Sequence, residues 1–456
     1  MGVMESATAR DLSHIVKRDG RIVPFTRVRI SNAIFRAAVA VGERSRDEAD
    51  RMAEQVIAAI GRTPSSQPYP AVEEIQDVVE KVLIESGKSK IAKAYILYRA
   101  ERARKRTGRE ARDPKKGDPI PWKKVWHVLN WAIDHQLHTV QALNDRIGRG
   151  EFGTIVRESE DAYQLDVVHA ADAILARKKE IRVVIVAGPS SSGKTTTTIK
   201  ISRHLAKEGF RFVPFHVDHY FHDLDAHPRD EYGDYDYETP QALDLDMINR
   251  HLKRLLNGET VSVPKFDYKA GKRIDNHHEM KLARDEILLI DSLHGLYRDM
   301  TGEIPNDEKF RLYIETLLQM RDAGGRYIRW ADLRLLRRMT RDKDQRYVDP
   351  KFTIEHWRYV RDSELDHIVP FVNSVDYIVN GGLPYELPVM KRRWLDTFRG
   401  WKDEYAGRAD RMDAGERADR IWKLFESIGS ITEADEHEIP KTALIREFIG
   451  GSEYKY

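Results

Sequence analysis

Residues 181–203 read IRVVIVAGPSSSGKTTTTIKISR. The opening IRVVIVA is a near-continuous apolar run rich in β-branched residues and closed by glycine. That is the pattern of a strand buried on both faces of a parallel sheet. Gly188, Gly193, Lys194 and Thr195 then fit G-x-x-x-x-G-K-[ST], and TTTIKISR carries helical periodicity behind them. Strand, glycine loop and helix in this order predict a phosphate-binding loop. The glycines let the backbone curl so that successive N–H groups point into one concavity, with the positive end of the helix behind it. In such a loop Lys194 bridges the β- and γ-phosphates of a nucleotide and Thr195 offers its hydroxyl to Mg²⁺. Ser190, Ser191, Ser192 and Thr196 line the same cradle. A chance match in a Gly/Ser-rich turn is the competing reading, and the flanking strand and helix argue against it.

Downstream, RFVPFHV reads as a second strand and ends at Asp218, followed by His219, Tyr220 and Phe221. The run EILLI reads as a third strand and ends at Asp291. Strand and helix alternate, which argues a parallel α/β sheet with right-handed crossovers and ligands beyond the carboxyl ends of the strands. A carboxylate at Asp218 can take the proton of an attacking hydroxyl, or it can be a structural cap. One at Asp291 can hold Mg²⁺ or its water. In WADLRLLRRMTRD, Arg334, Arg337, Arg338 and Arg341 fall at i, i+3, i+4 and i+7, which puts four cations on one helical face. Such a stripe suits a lid over a triphosphate, where charge builds on the phosphoryl oxygens. The competing reading is a charged solvent face.

With 456 residues the chain exceeds one ordinary domain, so two or three are expected. A net charge of +2 gives no general reason to expect nucleic acid. The absence of cysteine removes disulfides, thiolate metal sites and cysteine nucleophiles, and fits a cytoplasmic chain. No apolar run has the length of a membrane helix, and MGVMESATAR carries no apolar signal core.

Towards the N-terminus, His14 to Phe25 predicts a hairpin around Asp19-Gly20. Helical rhythms follow over 28–41, 47–60, 72–85 and 89–104. Residues 121–180 are helical in pattern, with Trp122, Trp126, Leu129 and Ile133 spaced as a buried face. Residues 399–456 show helices but no strand alternation, which suggests packing or an oligomer contact.

Two resemblances sharpen this reading. VKRDGRIVPF, RISNAIFRA and KAYILYRAERARKR, in that order, resemble the ATP-cone, a regulatory nucleotide-binding module. The resemblance implies an ATP or dATP effector held by Val16, Lys17, Arg18, Arg29 and Lys93, with Arg29 standing where lysine is common. The segments AGPSSSGKTT, DHYF, GDYDYETPQALDLDMI, VSVPKFDYKAGKR, LLIDSLHGL and DLRLLRRMTRD resemble uridine kinases and the wider group that includes phosphoribulokinase. That implies transfer of the ATP γ-phosphoryl group to a nucleoside 5′-hydroxyl. Asp218 would be the base, assisted by Lys194, Arg337 and Arg341, with Arg334 and Arg338 also in the lid. Thr195 and Asp291 would belong to the metal shell, and Phe221, Tyr237, Glu238, Phe266 and Tyr268 would line the acceptor pocket. The chain departs from the family in carrying Asp291-Ser292 for Glu-Gly, and Glu238 for an aspartate at the ribose. Gly271 stands where animal relatives read the pyrimidine with histidine.

The expected architecture is an α/β P-loop sheet flanked by helices, preceded by a small, mostly helical ATP-cone with a β-hairpin. The expected boundaries are 1–110 for the cone, 111–180 for a helical connector, 181–400 for the kinase and 401–456 for a helical tail. The expected cofactors are ATP and Mg²⁺, and the expected partners are a small alcohol substrate, the effector nucleotide and further copies of the chain. Two other functions remain open: a kinase of a sugar phosphate or of 2-phosphoglycerate, and a nucleotide-sensing regulator with a degenerate site.

Overall fold

The computed structural model describes residues 12–17, 22–63, 68–106, 120–227, 238–268, 270–408 and 411–455. Arg18, Tyr237 and the Asp19-Gly20 turn lie outside them. The chain divides into two compact units. One holds residues 1–115, 221–244 and 266–273; the other holds 116–220, 245–265 and 274–456.

In the first unit, β1 (His14–Val16) and β2 (Ile22–Pro24) pair antiparallel, His14 opposite Pro24. Four helices follow: α1 (Arg27–Ala40), α2 (Arg46–Arg62), α3 (Val72–Glu85) and α4 (Ser89–Arg106). Ser45 caps α2 by accepting from the Glu48 N–H, with Asp47 and Glu48 in its positive first turn. The apolar positions that predicted these helices form their core: Ile34, Phe35, Ala53, Val56, Ile60, Val79 and Leu83 are buried. Arg99 on α4 donates to Asp77 and Glu80 on α3, fixing the closing helix to its neighbour.

The second unit begins with α5 (Trp122–Asp134), α6 (Val140–Gly148) and α7 (Phe152–Ala176), which lead into β3 (Val183–Ala187). After β3 come α8 (Lys194–Lys207), β4 (Arg211–Phe215), α9 (Leu245–Leu256), and the pair β5 (Val261–Asp267) and β6 (Lys272–Met280), of which residues 266, 267, 272 and 273 belong to the first unit. Then follow β7 (Glu286–Asp291), β8 (Lys309–Glu315), α10 (Trp330–Arg346), α11 (Pro350–His367) and β9 (Tyr377–Asn380). The chain ends in α12 (Glu386–Glu404), α13 (Met412–Ser427), α14 (Glu433–His437) and α15 (Arg446–Ile449). The main sheet has the order β4-β7-β3-β8-β9, all parallel. All five residues of β3 are buried, as its unbroken apolar run demands. Pro214, which cannot donate to a ladder, sits in β4 at the sheet edge.

Helices α6 and α7 and the tail share one core with this sheet: Leu143, Ile155, Tyr163, Val167, Ile421, Phe425, Leu444 and Phe448 are buried within it. The expected apolar face of α5 is overturned. Trp122, Trp126 and Ile133 are exposed, while Val125, Val128 and Ala132 are buried. The helix carries two apolar stripes. The smaller one packs on Leu317, with Trp330 and Ile378 alongside, because aliphatic side chains fit that surface closely.

Candidate active site

The central strand sets the site. Parallel register places Val186 of β3 opposite Asp291 at the end of β7, and Ser292 N–H donates to Val186 O at 3.1 Å. The loop then turns at Gly188, φ +156°, where a Cβ would lie 2.3 Å from Ile314 O on β8, so only glycine fits. Gly193, φ +94°, caps α8 in the left-handed conformation. Lys194 folds back to donate to Gly188 O at 3.0 Å and Pro189 O at 3.2 Å. Among the described residues the hydroxyls of Ser191 and Ser192 are buried with no hydrogen-bond partner, as suits a cradle that offers donors to an anion.

Charge converges on this loop. Burial lowers the Lys194 ammonium pKa, opposed by Asp291 and Glu447. Burial raises the Asp291 carboxyl to about 6, with Lys194 pulling it down and Glu447 and Asp218 pushing it up. Asp218 stands exposed on a 3₁₀ turn, Val217–Tyr220. That turn is anchored by Tyr220, which is buried against Phe215 with ring centroids 5.1 Å apart and is hydrogen-bonded through its hydroxyl to His251 Nδ1 at 2.9 Å. Asp218 and Asp291 are thus near enough to feel one another's charge. Thr195 in the first turn of α8 and Asp291 supply one hydroxyl and one carboxylate. That hard oxygen set fits Mg²⁺, which takes one or two protein oxygens and fills the rest with phosphate and water.

The four arginines of α10 separate into two pairs. A loop that turns its amides inward turns carbonyls outward, and buried carbonyls require donors. Arg334 Nη1 donates to Ser190 O at 3.1 Å, and Arg337 Nη1 donates to Ser191 O and Ser192 O at 3.3 and 3.2 Å. Arg334 also makes a bidentate pair with Glu364, at 2.6 and 2.9 Å, and an ion pair with Glu315 at 3.0 Å. Arg337 pairs with Glu386 through Nε at 2.7 Å and again through Nη2. Arg334 is 1% exposed and Arg337 0%. Both were expected on the nucleotide side of a mobile lid; they instead brace the loop from behind. Arg338 and Arg341 are only partly buried and both pair with Asp342, at 3.3 and 3.0 Å. Arg338 Nη1 is 3.3 Å from Ser190 Oγ, and the charge of Arg341 is felt at Lys194.

The acceptor candidates Phe221, Glu238, Phe266 and Tyr268 fall in the first unit, where the rings of Phe221 and Phe266 stand 5.6 Å apart and those of Phe266 and Tyr268 5.1 Å. Leu224 N–H donates to Gly271 O at 2.8 Å, and a Cβ on Gly271, φ +63°, would lie 2.9 Å from Leu224. A histidine has no room there. Val16, Lys17, Arg29 and Lys93 all lie in the hairpin and helices of the same unit, with Val16 N–H donating to Pro70 O at 2.9 Å. Sequence reasoning missed Glu315, Glu364, Glu386 and Glu447. The partners through which they act on α10 and the nucleotide loop lie between 19 and 251 residues away, and no local spacing marks those pairings.

A parallel sheet whose central strand feeds a glycine loop and helix, with a half-buried aspartate on the adjacent strand end, defines the class of P-loop phosphotransferases. The chain belongs to the phosphoribulokinase/uridine kinase family: the family profile matches residues 183–384. It is 30% identical over 205 residues to the uridine kinase of Staphylococcus aureus strain JH9, across 45% of this chain and 89% of that one. The profile of the ATP cone domain matches residues 13–104. Among solved structures, a possible uridine kinase from Bacillus stearothermophilus is similar at TM-score 0.32 and 16% identity, across 47% of this chain and 97% of that one. D-glycerate 3-kinase from Cryptococcus neoformans is similar at TM-score 0.25 and 13% identity, across 58% and 90%. Among the described residues no helix is long and apolar enough to cross a membrane.

Proposed function

We propose that the chain transfers the γ-phosphoryl group of ATP to the 5′-hydroxyl of a nucleoside, under control of a nucleotide bound to its cone. The observation that carries the chemistry is Lys194 folded onto the glycine loop beside Asp291, which the sheet register sets opposite Val186, with the charge of Asp218 acting on Asp291. Asp218 accepts the proton as the acceptor oxygen bonds to the γ-phosphorus and the bond to the β–γ bridging oxygen breaks. Lys194 holds the phosphate chain, and Arg338 and Arg341 stabilise charge on the transferring group. Thr195 and Asp291 would hold Mg²⁺, which neutralises phosphate charge when bound. Arg334 and Arg337 keep the loop in shape. The similarity to a uridine kinase supports a nucleoside acceptor, while Gly271 removes one way of reading a pyrimidine. A screen of nucleosides, ribulose 5-phosphate and 2-phosphoglycerate with ATP, read as ADP release, tests the acceptor. Nucleoside-dependent release is expected. Release with a phosphorylated acceptor alone overturns the nucleoside, and silence throughout overturns the kinase.

The cone and the loops that carry the acceptor candidates fall in one compact unit, which supports control through the acceptor. Arg44, between α1 and α2, donates to Gln241 O at 3.1 Å and faces the charge of Asp244, while burial lowers its pKa. Arg273 pairs with the same Asp244 at 3.0 Å. Allosteric couplings are typically about 5–150-fold. In Arg44→Ala the effector's influence on acceptor KM is expected to shrink to about twofold or less, with effector binding retained. An unchanged influence would remove this route.

A further inference from the structure

The C-terminal segment reaches the nucleotide loop. Glu447 Oε2 on α15 accepts from Thr196 N–H at 3.1 Å and from Thr196 Oγ1–H at 2.7 Å. Thr196 is in the first turn of α8, where backbone N–H groups have no partner within the helix. In a G-x-x-x-x-G-K-[ST] loop these amides cradle the α- and β-phosphates. A carboxylate oxygen that accepts from a buried N–H and a buried hydroxyl at that point is chemically a stand-in for a phosphate oxygen. Its charge also reaches Lys194 and Asp291, the two groups flanking the phosphate chain.

The neighbours of Glu447 fix it there. Leu444 packs so tightly on the loop that a Cβ on Gly193 would lie 2.8 Å from its Cδ1; on Gly381 the distance would be 3.5 Å. Arg337 lies over the Phe448 ring at 5.0 Å. Gln345 of α10 donates to Glu447 O at 2.9 Å, tying the segment to the arginine helix. Glu160 Oε1 accepts from Leu444 N–H at 3.3 Å. A nucleoside hangs from its α-phosphate by one ester oxygen, so it would have to share its surroundings with this segment.

We propose that Ala443–Ile449 is an autoinhibitory latch: Glu447 occupies the α-phosphate position, and nucleotide binds only as that carboxylate leaves. The proposal rests on the kinase reading of the loop. Because α10 grips both the latch and the loop carbonyls, release of the one is felt by the other. A latch closed about 90–99% of the time weakens apparent nucleotide affinity about 10–100-fold.

The test uses the full chain and a non-hydrolysable ATP analogue with Mg²⁺, by calorimetry and by amide hydrogen exchange. In Glu447→Gln, which keeps shape and removes charge, the analogue is expected to bind at least about tenfold more tightly. In the unsubstituted chain, the amides of 443–449 are expected to exchange faster once the analogue is bound, a readout that does not depend on how the variant folds. Equal or weaker binding by Glu447→Gln, or slower exchange in the segment, overturns the latch and leaves the kinase reading standing. Failure of both proteins to bind the analogue overturns the two together.

Discussion

In Asp218→Asn, turnover is expected to fall about 10²–10⁴-fold with nucleotide binding kept, the loss typical when a positioned general base is removed. Asparagine retains the hydrogen-bond geometry but cannot take a proton. The side chain is exposed near the start of a 3₁₀ turn that Phe215, Tyr220 and His251 hold in place, so the substitution is expected to leave the fold intact. There is a second expected consequence. Asp218 is one of the charges that push Asp291 upward. Without it Asp291 ionises more readily, and affinity for the Mg²⁺-nucleotide should hold or rise. ADP release with the acceptor found by the screen, beside calorimetry of the Mg²⁺-bound analogue, measures both. Turnover within about threefold of the unsubstituted chain would remove Asp218 from the chemistry.

What the sequence made legible follows from what is local. The glycine loop was readable because Gly188 and Gly193 are demanded by backbone geometry within a few residues of one another. The strands were readable because burial on both faces leaves an unbroken apolar run, as in Val183–Ala187. The strands of the cone hairpin and the four helices after it were readable from the period of their apolar residues. The faces of α5 and α10 were not. Trp122 and Trp126 satisfied helical spacing as well as Val125 and Val128 do, and only the surface of Leu317, Trp330 and Ile378 selects between the two stripes. On α10 the spacing of the arginines was right, but Arg334 and Arg337 face inward because Glu364 and Glu386 wait there, from helices that follow 30 and 49 residues later. A cation stripe read from sequence carries no information about such partners. The same holds for the tail, whose Glu447 meets Thr196 across 251 residues.

That inward pairing has a large expected effect on stability. The guanidinium of Arg337 is wholly buried, and it satisfies the Glu386 carboxylate and the carbonyls of Ser191, Ser192 and Gly381 together. Burial alone drives the Glu386 carboxyl above the ordinary carboxylate range, with Arg337 opposing it. Arg337→Met keeps much of the volume but leaves that carboxylate unpaired in the core. Removing one partner of a buried pair typically costs about 3–5 kcal/mol, because the remaining charge loses its compensation. Arg337→Met/Glu386→Met removes the unpaired charge as well, and since replacing both partners by apolar groups is often near neutral, most of that loss should return. The carbonyls of the loop stay without donors in both variants, so nucleotide binding should remain impaired even where stability is restored. Urea unfolding followed by fluorescence of the buried Trp357 and Trp394 reads the stability of this unit. If the double variant is no more stable than Arg337→Met alone, the cost lies in the orphaned carbonyls and not in the charge pair. If Arg337→Met is as stable as the unsubstituted chain, the brace carries no weight in the fold.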